Sequence, residues 1–129
     1  MSPDSSISGR KVLIVEDEMI VAWLLQDMLA ELGCVVVGPA ASVEQALAMI
    51  DAAPIEVAVL DVNLNGEMSY PVADALTARG VPFVFVTGYD KERMLDGYRA
   101  LPVLQKPFHR VELTGTLAQL LASAETSVV

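Results

Sequence analysis

Lys11-Val12-Leu13-Ile14-Val15-Glu16-Asp17-Glu18 is the stretch on which the fold turns. Its apolar run is too short for a buried helix and rich in β-branched residues, so it reads as a strand covered on both faces, as in a parallel sheet. The run stops at three carboxylates. Beyond them Val21, Leu24, Leu25, Met28, Leu29 and Leu32 recur at three- and four-residue spacing, a helical stripe that should face the sheet, with Gly33 as its stop.

The same strand-then-helix alternation repeats outward along the chain. Further strands are expected at Val35–Val37, Val57–Leu60, Phe83–Val86 and Val103–Leu104, each bounded by Gly, Pro or charge. Ser42 can cap a second helix, with Gln45 completing a capping box, Ala46, Leu47 and Ile50 as its buried face and Pro54 beyond its end. A third helix begins at Pro71 and runs to Gly80. A fourth, from Lys91 to Arg99, contains Gly97 and few apolar residues and should be the weakest. The fifth runs from Val111 to Leu121 on Val111, Leu113, Leu117, Leu120 and Leu121. Consecutive βαβ units of this kind imply an α/β domain built on a parallel sheet.

A chain of 129 residues, 53% hydrophobic, supports one core. We expect a single domain over residues 10–122, with polar tails at 1–9 and 123–129 that are disordered. The net charge of −9 excludes sequence-independent binding to nucleic acid, which requires lysine and arginine to neutralise phosphates. Cys34 is the one cysteine and stands before Val35-Val36-Val37, which fits a core thiol in a reducing compartment. No apolar run is long enough to span a bilayer, so no membrane is expected and the cytoplasm is the default location. His109 reads as a surface or cap residue, and Trp23 lies just off the apolar stripe of the first helix.

Ligands of open parallel sheets collect at the carboxyl ends of the strands. Glu16-Asp17-Glu18 follows the first strand, Asp61 the third, Thr87 the fourth, and Lys106-Pro107 the fifth. Carboxylates without His or Cys form a hard-oxygen site suited to Mg²⁺. An aspartate there can act as a nucleophile towards phosphorus if the phosphoryl oxygens are neutralised, and Mg²⁺, Lys106 and the Thr87 hydroxyl can do so from different sides. Pro107 makes a cis bond after Lys106 a candidate.

These segments, Lys11 to Glu18, Val59-Leu60-Asp61, Val86-Thr87-Gly88 and Gln105-Lys106-Pro107-Phe108, resemble in order and spacing the signature of response-regulator receiver domains of two-component phosphorelays. The resemblance implies a doubly wound, flavodoxin-like sheet of order 2-1-3-4-5. It also implies Glu16 and Asp17 as the acidic metal pair, Asp61 as phosphoacceptor and metal ligand, and Asn63 as the donor of a backbone carbonyl to Mg²⁺. Thr87 would follow the phosphoryl group and Lys106 would contact its oxygens. Val103 stands where the family usually carries an aromatic switch. Pro82-Phe83-Val84-Phe85-Val86-Thr87-Gly88-Tyr89 is similar to an alphaproteobacterial subgroup, often single-domain, with a Phe-Ala-Thr-Gly-Tyr-like motif. In that subgroup Tyr89 would shield the phosphoryl group or join Thr87 as the switch.

The implied partners are a histidine kinase or phosphotransfer protein as donor and a downstream protein as target, the chain being a monomer or weak dimer. It would catalyse only its own phosphorylation and dephosphorylation. Two rivals differ in class. A hydrolase using the same aspartyl chemistry needs an acid two residues after the nucleophile, and Asn63 cannot protonate a leaving group. A vestigial receiver would bind partners without phosphorylation.

Overall fold

The computed structural model describes residues 7–88 and 102–126. Five parallel strands form the main sheet: β1 (Lys11–Val15), β2 (Val35–Ala40), β3 (Val57–Asp61), β6 (Phe83–Thr87) and β7 (Val103–Gln105), in the order β2-β1-β3-β6-β7. This is the expected doubly wound order, with a short antiparallel hairpin of β4 (Asn63–Leu64) and β5 (Glu67–Met68) inserted after β3. The described helices are α1 (Met19–Glu31), α2 (Val43–Ala52), α3 (Tyr70–Ala78) and α4 (Arg110–Thr126). The helix expected at Lys91–Arg99 lies outside the described residues, so the expected fifth helix is α4 here.

Period-two alternation sorts the central strands into two cores. Leu13, Val15, Ala58, Leu60, Phe83 and Phe85 point towards α2 and α3, whereas Val12, Ile14, Val57, Val59, Val84 and Val86 pack with buried leucines of α1 and α4. Every residue of β3 and β6 is buried. Phe85 makes edge-to-face contacts with Tyr70 and Phe83, at ring-centroid distances of 6.1 and 5.3 Å. Aromatic pairs of this geometry add about 0.5–1.5 kcal/mol to the area they bury.

The capping box of α2 forms: Ser42 Oγ accepts the Gln45 N–H at 3.1 Å, and Gln45 Oε1 accepts the Ala41 N–H at 2.8 Å. At the start of α4 the His109 N–H donates to Glu112 Oε1 at 2.9 Å, which makes His109 a helix-entry residue. Edge strand β2 runs past the expected stop at Val37, through a cis Gly38–Pro39 peptide and an irregular register with β1. An edge strand tolerates proline because its outer N–H needs no partner in the sheet. Gly38 is held at φ +96°, and a Cβ there would lie 2.9 Å from the Ile14 carbonyl oxygen.

Three expectations need correction. Ile7, assigned above to a disordered tail, is fully buried in the core beneath α1, and Cys34 Sγ donates to its carbonyl at 3.4 Å. A single apolar residue among serines gives no periodic signal, yet it closes the gap beside Leu32 and Cys34. At the other end α4 continues to Thr126, past the boundary drawn at residue 122. The α1 stripe is also narrower than its spacing suggested: Ala22, Leu25, Leu29 and Leu32 are buried, while Leu24 is exposed.

Candidate functional site

Central strand β3 carries Asp61 to the carboxyl edge of the sheet, where its side chain is almost wholly buried. The chain leaving the strand is pinned at both ends. Ser69 Oγ donates to the Asp61 carbonyl at 2.5 Å and the Ser69 N–H to the Val62 carbonyl at 2.8 Å, while the Asn63 N–H donates to Asp61 Oδ1 at 3.3 Å. Between these anchors the β4–β5 hairpin turns on Asn65 (φ 56°) and Gly66 (φ 90°), both in the left-handed conformation of a two-residue turn. Buried Leu64 seats the hairpin on the core. The Asn65-Gly66 dipeptide is the signal in the sequence for such a turn.

Strand β7 delivers Lys106. Its backbone N–H continues the sheet by donating to the Thr87 carbonyl at 2.8 Å, and the Lys106–Pro107 peptide is cis. The ammonium donates to Glu16 Oε1 at 2.9 Å, Asp61 Oδ2 at 3.2 Å and Glu18 Oε1 at 3.4 Å. Glu16 is 2% exposed and Thr87 1%. Asp17, Glu18, Asp61, Asn63, Thr87 and Lys106 border one open cavity of about 310 Å³, which Asn65 and Gly88 complete. Asp17, Asp61, Asn63, Thr87 and Lys106 thus meet at one cavity, with Glu16 buried behind it. Tyr89 lies outside the described residues.

Glu18 is the residue that reading the chain missed. Carboxylate oxygens of Glu16, Glu18 and Asp61 lie within 4.8 Å of one another, and the Glu18 N–H donates to Glu16 Oε2 at 3.1 Å. Three successive acids after a strand cannot all be ranked from sequence, because their directions depend on how the chain turns into α1.

Burial, and secondarily the Asp61 carboxylate, push the Glu16 pKa from 4.5 up to about 7, against the opposing pull of Lys106 and the Glu18 N–H. For Lys106, burial alone would lower the pKa. The Glu16 hydrogen bond and the Asp61 and Glu16 charges outweigh it, and the net shift is upward. One ammonium therefore faces three carboxylates. The excess negative charge and the all-oxygen donor set fit a hard divalent cation such as Mg²⁺.

No helix among the described residues is long and apolar enough to cross a membrane. The family model described as "Response regulator receiver domain" matches residues 12–118. The phyllosphere-induced regulator PhyR of Methylorubrum extorquens is 31% identical over 116 residues, which are 86% of this chain and 43% of PhyR. The chain spans about half the length, or less, of the curated relatives it matches. Among solved structures, SdrG from Sphingomonas melonis is 44% identical with a TM-score of 0.78, covering 94% of this chain and 99% of SdrG. The BeF3-activated conformation of SdrG is 43% identical with a TM-score of 0.76, over 88% of this chain and 98% of that one. With the sheet order, the acidic pocket and these likenesses in agreement, the chain belongs to the response regulator receiver domain family of two-component systems.

Proposed function

We propose that the chain accepts a phosphoryl group on Asp61 from a histidine kinase or phosphotransfer protein in the cytoplasm, and signals by presenting an altered surface to a downstream protein. The observation that carries this reading is Lys106 Nζ held 3.2 Å from Asp61 Oδ2 and 2.9 Å from Glu16 Oε1 at the mouth of a cavity bordered by Thr87. An Asp61 carboxylate oxygen forms the bond to phosphorus as the bond from phosphorus to the donor nitrogen breaks. Lys106 then turns from the carboxylates to the phosphoryl oxygens, and the Thr87 hydroxyl donates to another. Mg²⁺, held by Glu16, Asp17, Asp61 and the Asn63 carbonyl with Glu18 within reach, would supply neutralisation of the transferred group's charge. Thr87, with Tyr89 after it, is the proposed route from that charge to the surface.

Two further observations support the reading. SdrG adopts a BeF3-activated conformation, and BeF3 has the shape and charge of a phosphoryl group. The first turns of α1 also expose Met19, Ile20, Trp23 and Leu24 beside an apolar groove that shares Lys106 with the acidic cavity, a surface suited to a protein donor.

Incubation with acetyl phosphate and Mg²⁺ followed by intact-mass measurement tests the proposal. One added phosphoryl group is expected, absent from Asp61→Asn and from samples treated with chelator. No added mass, or mass that persists in Asp61→Asn, would sink it and leave phosphorylation-independent binding.

A further inference from the structure

We infer that Asn65, at the tip of the β4–β5 hairpin, positions the water that removes the phosphoryl group, and so sets how long the signal lasts. This rests on Asp61 being the phosphoacceptor. Asn65 borders the acidic cavity together with Asp61, Thr87 and Lys106. The other asparagine of the hairpin is committed elsewhere, since Asn63 Oδ1 accepts the Gly66 N–H at 2.7 Å and helps close the turn. Asn65 makes no side-chain hydrogen bond among the described residues, and it is exposed.

Its placement is fixed by the hairpin. Cross-strand pairs Asn63 with Met68 and Leu64 with Glu67 leave only Asn65 and Gly66 in the turn. Buried Leu64 and the Ser69 hydrogen bonds to Asp61 and Val62 tie the base of the hairpin to the strand that carries the nucleophile. Asparagine is among the few side chains that accept φ near +56°. The position thus presents a carboxamide, a group able to accept a hydrogen bond from a water while donating one to a phosphoryl oxygen.

Glu16 is buried behind Asp61, so water reaches phosphorus from the open cavity that Asn65 borders together with Thr87 and Lys106. In the hydrolytic step the water oxygen bonds to phosphorus and the bond from phosphorus to the Asp61 oxygen breaks. The electron pair returns to the carboxylate, and the water protons pass to the released phosphate and to solvent. An amide orienting that water lowers the barrier by positioning alone, as a neutral side chain does in other phosphoryl hydrolyses.

The test uses the full chain loaded with acetyl phosphate and Mg²⁺, freed of donor, and followed by intact mass. Asn65→Gly keeps the left-handed turn while deleting the carboxamide. It should still load to one phosphoryl group per chain with the same Mg²⁺ requirement, and lose that group at least about threefold more slowly. Unchanged or faster decay in Asn65→Gly overturns the inference. So does slowing of loading and decay together with a raised Mg²⁺ requirement, which marks a loosened hairpin. Failure of the wild type to load at all would instead overturn the reading of Asp61, and this inference with it.

Discussion

Two cavities meet at Lys106. One is the acidic cavity at Asp61; the other, of about 380 Å³, runs between α1 and the start of α4 and is lined by Val21, Leu24, Leu25, Met28, Pro107 and Phe108. The first is built from a fixed set of groups, because charge chemistry needs carboxylates, an ammonium and a hydroxyl at particular strand ends. The second needs only apolar bulk, which many residues supply. A site whose work is electrostatic leaves its mark on single residues, whereas a site whose work is burial leaves it on a surface. Lys106 belongs to both, and changes that separate its charge from its stem separate the two cavities.

Lys106→Met retains most of the stem beside the groove and removes the ammonium from Glu16 and Asp61. Breaking a buried ion pair by deleting one partner costs about 3 kcal/mol or more, because the remaining charge is stranded. Urea unfolding in Mg²⁺-free buffer should show that loss near pH 8, and a smaller one near pH 5 where Glu16 holds a proton. Equal losses at both pH values would mean that packing, not charge, is what Lys106 contributes.

Glu16→Gln probes the acidic cavity by itself. The native carboxyl titrates near 7 and the unfolded one near 4.5, so between those values the folded protein holds a proton that the unfolded chain has released. The stabilisation from this group is complete below 4.5 and is lost as pH rises through about 7. Wild-type stability without Mg²⁺ should therefore decline by roughly 2 kcal/mol between about pH 5 and about pH 8, and Glu16→Gln should flatten much of that slope. An unchanged slope in the variant would assign the titration to another group.

The contrast between the cavities also explains what the chain's residues disclosed. Strands β1, β3 and β6 were legible because continuous β-branched runs have no other stable use, and their order placed Glu16, Asp61 and Thr87 on one edge. Glu18 was not legible, because three consecutive acids differ only in where the turn into α1 aims them. The hairpin at Asn65-Gly66 escaped because two-residue strands are too short to alternate, leaving the dipeptide as its sole signal. Ile7 and Leu24 failed in opposite directions for one reason: burial of a single apolar residue depends on the shape of its surroundings rather than on spacing. Leu24 fits the helical period of α1 and yet is 53% exposed, on the flank beside the groove.

That exposed flank yields the smallest effect and the sharpest separation. Trp23 is 59% exposed on the same helix as the groove and is not among the residues that line the acidic cavity. An aromatic anchor in a protein interface is worth about 1–2 kcal/mol, so Trp23→Ala should slow phosphotransfer from a protein donor roughly tenfold. Loading from acetyl phosphate, which needs no docking, should stay at the wild-type rate. If both reactions slow alike, α1 is transmitting a change to Glu16 through its first turn, and the two cavities are one site. If neither slows, the donor approaches Asp61 from the hairpin side, across Asn65.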